Sequence, residues 1–109
     1  MLGLCPCVCY TPPMPYTAQF IFEPTARFPT CHAANLAVLT DGTLAFVCFR
    51  GSREAAGDSV TVLHRLGPDG HWDAGQVVVE EPGRPAGNSV LMPLPDGRVV
   101  LFYTLAYRE

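Results

Sequence analysis

The chain states one pattern twice, and that repetition limits its possible folds more than any other feature. Residues 35–49 are an apolar run, Asp41-Gly42 and a second apolar run; residues 88–103 repeat the arrangement about Asp96-Gly97. Asp-Gly between two β-rich runs predicts a hairpin, because glycine accepts the positive φ that a tight turn demands. The two turns lie 55 positions apart. A hairpin returning at roughly 40–50 residues reads as the blades of a β-propeller. No segment holds a helical period over about ten residues, so the predicted fold class is all-β.

Strands are predicted at 32–39, 43–50, 59–64 and 76–80, which together make a first blade over about 32–81. Strands at 88–94 and 98–105 begin a second blade over 88–105. Residues 19–23, Gln-Phe-Ile-Phe-Glu, form a short β-type run stopped by Pro24, suited to an outer strand that closes the ring. Residues 1–17 are a separate zone rich in Cys and Pro, expected to be a mobile leader; residues 18–109 are the propeller part. A ring needs at least about four blades. The expectation is therefore a fragment of about one and a half four-stranded blades, completed by missing blades or by self-association.

Composition narrows the function classes. At 49% hydrophobic and 16% charged, the chain is expected to form a core rather than stay disordered. The net charge is −3, all seven basic residues are arginines, and no basic stripe is present, which excludes nucleic acid as the expected partner. No apolar run nears the roughly 18 residues of a membrane helix, and no secretory signal is visible. The expected address is cytoplasmic, with no membrane partner. Five cysteines, an odd number, do not suit a disulfide framework. Cys5-x-Cys7-x-Cys9 is too tight for structural zinc, whose paired cysteines are about two to four residues apart. Neither a metal nor a cofactor is expected.

Five short elements, in order, resemble a known family. They are Phe28-Pro29-Thr30-Cys31-His32-Ala33-Ala34-Asn35, Asp41-Gly42-Thr43-Leu44, Arg50-Gly51-Ser52-Arg53-Glu54 with Asp58, Pro68-Asp69-Gly70-His71-Trp72, and Gly87-Asn88-Ser89-Val90. The set is similar to the opening of sialidase-like (neuraminidase-like) proteins with BNR, or Asp-box, repeats, and most of all to the bacterial branch of predicted exo-sialidases. The resemblance spans residues 20–103 and implies a six-bladed propeller and a glycosidase, a hydrolase of sialic-acid-type or other acidic glycans. In that family an arginine cluster holds the sugar carboxylate, an Asp protonates the leaving group, and a Tyr paired with a Glu is the nucleophile, an exception to the usual two-carboxylate scheme. The Tyr, its Glu and further arginines come from later blades.

The resemblance implies a catalytic set of Asp58, Glu54 and His32, and a substrate-binding set of Arg50, Arg53 and Asn88. Asp58 is the favoured acid and Glu54 the runner-up, since a shielded loop carboxylate can donate a proton. His32 opens an inner strand and could serve proton transfer or bind a sugar hydroxyl. Arg50 and Arg53 suit bidentate recognition of a carboxylate. Asn88 could offer its amide to a hydroxyl. His32 stands where the family carries an Arg-Ile-Pro arginine, and the Asp-box survives only as Pro68-Asp69-Gly70-His71-Trp72. Those departures keep open a non-catalytic carbohydrate-binding or scaffold propeller, or a His-dependent glycosidase or polysaccharide lyase on the same scaffold.

Overall fold

The computed structural model describes residues 14–107; the predicted leader lies for the most part outside them, as do Cys5, Cys7 and Cys9. The fold is all-β. Strands β1 (Thr30–Val38), β2 (Leu44–Gly51), β3 (Val60–Arg65) and β4 (Gln76–Val79) form one antiparallel sheet in chain order. Strands β5 (Ala86–Pro93) and β6 (Val99–Leu105) form a second, two-stranded sheet.

One turn design occurs three times among the described residues. In the first, the Leu39 amide donates to the Thr43 carbonyl, Gly42 donates to Leu39, and the Thr43 amide donates to the Asp41 carboxylate. Residues 94–98 repeat all three bonds about Asp96-Gly97. Residues 67–71 repeat them again about Asp69-Gly70, closed by the Leu66–Trp72 bridge just after β3. Gly42, Gly70 and Gly97 have φ of 84°, 81° and 90°, the left-handed conformation that glycine adopts without a Cβ penalty. The aspartate fastens its own turn by accepting the amide two residues on.

Both hairpins also contain a bulge. Register is lost between His32 and Asn35 in β1 and between Ala86 and Ser89 in β5, one extra residue in each case. In β1 the extra residue turns Asn35 toward the second sheet, where its side-chain oxygen accepts the Leu91 amide at 2.9 Å. This bond ties the start of one sheet to the middle of the next.

Strand β2 is buried on both faces from Ala45 to Gly51. Successive side chains alternate in direction. Ala45 and Val47 face the second sheet and pack with Leu91, flanked by Ala37, Leu39, Leu63 and Leu101. Burying side chains such as Val47 and Leu91 contributes about 1.5–3 kcal/mol each. Between the sheets the Ala86 amide also donates to the Ser59 carbonyl, and the hydroxyls of Thr61 and Ser89 meet. On the other face lie Phe46, Cys48 and Arg50, opposite His64, Val62 and Val60 of β3.

Residues 19–23 form no strand, contrary to the sequence expectation. Alternating Phe20 and Phe22 suit a strand locally, but a strand also needs an edge to bond. Here Phe22 lies on the face of the first sheet instead, stacked on His64 at 5.7 Å and beneath the Arg50 guanidinium. Two apolar surfaces are left uncovered by the described residues. Leu36 and Val38 are exposed on one side of the stack, and Val90, Met92 and Phe102 on the other.

Candidate functional site

Strand parity distributes the candidate residues. His32 pairs with Phe49, and Cys31 pairs with Arg50. Neighbours on a strand point to opposite faces, so His32 and Phe49 look toward the second sheet while Cys31 and Arg50 look away from it. His32 stacks on Phe49 with centroids 5.2 Å apart, and its Nε2 is buried with no hydrogen-bond partner among the described residues.

Phe49 also walls a cleft of about 320 Å³ between the two sheets. The β2–β3 loop contributes Glu54 and Ala55 to it; the start of β5 and the end of β6 contribute Gly87, Asn88 and Thr104. A Cβ on Gly87 would stand 2.5 Å from the Thr104 hydroxyl, so glycine is what allows β5 and β6 to approach here. Glu54 and Asn88, far apart in sequence, thus share one cleft, with His32 behind its aromatic wall.

Among the described residues, two non-glycine residues have positive φ, Ala33 at 52° and Ala55 at 59°. Each directly follows a candidate, His32 in one case and Glu54 in the other. Such a conformation costs roughly 1–3 kcal/mol, persists only where the surroundings impose it, and clusters at functional sites.

Asp58 stands apart from this cleft. It lines a neighbouring one of about 510 Å³ with Arg27, Gly57, Glu80 and Glu81. Both of its carboxylate oxygens accept the Ser52 amide at 3.2 Å, and one accepts the Ser52 hydroxyl at 3.1 Å. Asp58 therefore fastens the two ends of the β2–β3 loop. Arg53 is exposed in the same loop, with one guanidinium nitrogen 3.5 Å from the Glu54 carbonyl.

Arg50 is 4% exposed. Its Nη2 donates to Nε2 of the fully buried His64 at 2.5 Å, and Phe22 covers the guanidinium at 3.2 Å from the ring centre. A guanidinium has no acceptor, so His64 Nε2 accepts and the imidazole is neutral with its proton on Nδ1. That proton goes to the Asp73 carbonyl at 3.0 Å. Arg50 is thus enclosed by protein groups, and no described carboxylate pairs with it.

Beside Arg50 lie two thiols that the sequence reading did not single out. The neighbouring Cys48 thiol, aided by Arg50 against the effect of burial, holds the Cys31 thiol down to about 7. The same contact, together with burial, pushes Cys48 up. The pairing of residue 31 with residue 50 was the signal available, and it needed the strand register to become visible.

Among the described residues, no three His, Cys, Asp or Glu side chains are grouped to hold a metal ion. Comparison with protein-family models and with curated proteins returns no match.

Proposed function

We propose that this chain is the opening part of a sialidase-like β-propeller that acts on acidic glycans, and that its glycan-facing surface is the cleft of Glu54 and Asn88. The observation that carries this reading is the shared cleft, walled by the Phe49 ring and lined by the strained Ala55. An aromatic wall suits the apolar face of a sugar ring, and a carboxylate and an amide suit its hydroxyls. Arg53, in the same loop, supplies the cation for a sugar carboxylate. In this reading Glu54 is the acid candidate held nearest a bound sugar. Asp58 is occupied in closing the loop, and the nucleophile and remaining arginines belong to further blades.

A second reading, a non-catalytic glycan-binding propeller, draws on the enclosure of Arg50 by His64 and Phe22. The two readings share the cleft and differ in chemistry. An NMR titration with a sialylated trisaccharide, run beside neutral lactose, tests the cleft. The expected result is weak, roughly millimolar binding that shifts the amides of Ala55, Gly87 and Asn88 and weakens at least tenfold in Asn88→Ala. An unchanged spectrum, or shifts confined to other loops, would refute the cleft as a glycan site. Placing Glu54→Gln in a longer form with further blades, then assaying a fluorogenic sialoside, separates hydrolase from binder. A loss of about 10²–10⁴ in rate is expected for a general acid.

A further inference from the structure

We propose that Cys31 and Cys48 are an oxidant-reactive thiol pair, with Cys31 the attacking sulfur and Cys48 the resolving one, converted by a hydroperoxide into a disulfide that staples β1 to β2. The geometry begins with register. Cys31 lies opposite Arg50, and Cys48 follows two positions along the same face of β2. Cys48 also lies opposite the bulge, where Ala33 and Ala34 replace a single partner. Cys31 and Cys48 are therefore diagonal neighbours on one face of the β1–β2 pair, beside a bulge that bends β1 and sharpens its local twist.

Access and charge differ between the two thiols in the way such a pair requires. Cys31 is half-buried and Cys48 fully buried, so an oxidant in solution meets Cys31 first. Arg50 presents a buried cation that no described carboxylate pairs with, and its Nε has no hydrogen-bond partner among the described residues. An uncompensated buried charge is costly, and a thiolate at Cys31 is the anion placed to relieve it. The other titratable groups near this face are His64 of β3, whose Nε2 accepts from Arg50, and Asp73, whose carboxylate lies 3.4 Å from His64 Nδ1 on the far side of the ring. Phe22, from the covering segment, adds no charge. The lowered Cys31 thiol agrees with this arrangement.

The reaction balances in two steps. The Cys31 thiolate attacks one peroxide oxygen, the O–O bond breaks, and hydroxide leaves and is protonated to water. Cys31 is now a sulfenic acid. The Cys48 sulfur then attacks Cys31, the S–S bond forms, the S–O bond breaks, and the departing hydroxide takes the Cys48 proton as water. Two electrons pass from the thiols to the peroxide.

The test uses the full chain with Cys5, Cys7 and Cys9 changed to Ser, beside the unaltered chain. In the reduced protein, Cys31 should alkylate with a midpoint near pH 7, against about 8.5 for a free cysteine, and about threefold faster at neutral pH. A stoichiometric amount of hydrogen peroxide should remove the mass of two hydrogen atoms and yield a Cys31–Cys48 linked peptide, reversed by a dithiol. In Cys48→Ser the reaction should stop at a sulfenic acid on Cys31, trapped by a dimedone-type probe. Oxygen gained without a linked peptide, or an ordinary Cys31 midpoint, would overturn the proposal. In the unaltered chain, linkage of Cys31 to Cys5, Cys7 or Cys9 in preference to Cys48 would overturn it too.

Discussion

Replacing Gly75 by alanine should destabilise the protein more than the same change at a glycine of equal backbone conformation. Gly75 and Gly42 both have φ of 84°. At Gly42 an added Cβ meets nothing within 4 Å. At Gly75 it would press on His64 Cε1, stand 2.6 Å from His64 Nε2 and 2.9 Å from a Val62 methyl. His64 has little room to yield, since Arg50 and the Asp73 carbonyl hold both ring nitrogens and Phe22 covers its face. The left-handed alanine costs about 1–2 kcal/mol at either site. Overpacking at Gly75 adds about 1–3 kcal/mol. The expected loss is therefore about 2–5 kcal/mol for Gly75→Ala and about 1–2 for Gly42→Ala, a wide gap against a typical total of about 5–15. Urea unfolding followed by the fluorescence of Trp72, the single tryptophan, measures both. Equal losses in the two variants would refute the idea that the Arg50–His64 pair is rigid, and with it the account of how Arg50 is enclosed.

Three further outcomes are expected. Asn35→Ala should cost about 1–3 kcal/mol by leaving the Leu91 amide unpaired, and that amide should show the largest gain in hydrogen exchange. The Thr43 amide and hydroxyl hold the Asp41 carboxyl below its ordinary value. Its contribution is therefore complete above that ordinary value and lost as pH falls through the folded one; in urea midpoints the gap between Asp41→Ala and the parent should be present at neutral pH and narrow as the solution is made strongly acidic. The chain alone should not turn over a fluorogenic sialoside, since nucleophile, acid and clamp are not assembled in the described cleft; turnover above a heat-treated control would contradict this.

The hairpins were legible because Asp-Gly at residues 41–42 and 96–97 specifies a backbone conformation, not merely a composition. The same Asp-Gly signal at Asp69-Gly70, part of the worn Asp-box, closes a third turn of the same design. The bulge at Ala33 and Ala34 had no local mark: an alanine in a left-handed conformation is imposed by its neighbours. Residues 19–23 show the converse, a local strand pattern overruled by the sheet face available to Phe22. The candidate site was legible as a list of residues, but not as a grouping. His32 and Arg50 both lie near the same end of β1 and β2, yet one residue of register puts them on opposite faces. Glu54 and Asp58 share a loop, yet only the bonds to Ser52 reveal which carboxylate is engaged.

The two open apolar surfaces are unlike. One presents Leu36 and Val38, the other Val90, Met92 and Phe102. Surfaces that differ cannot pair about a two-fold axis; where they meet, they join copies head to tail. Each such contact repeats one fixed rotation, so growth ends in a closed ring if that rotation divides the circle and continues as a helical filament if it does not. A copy with a charge at Phe102 would keep one adhesive end and lose the other. Mixed in at small proportion, it would act as a chain terminator, and the size distribution would then report whether assembly is polar.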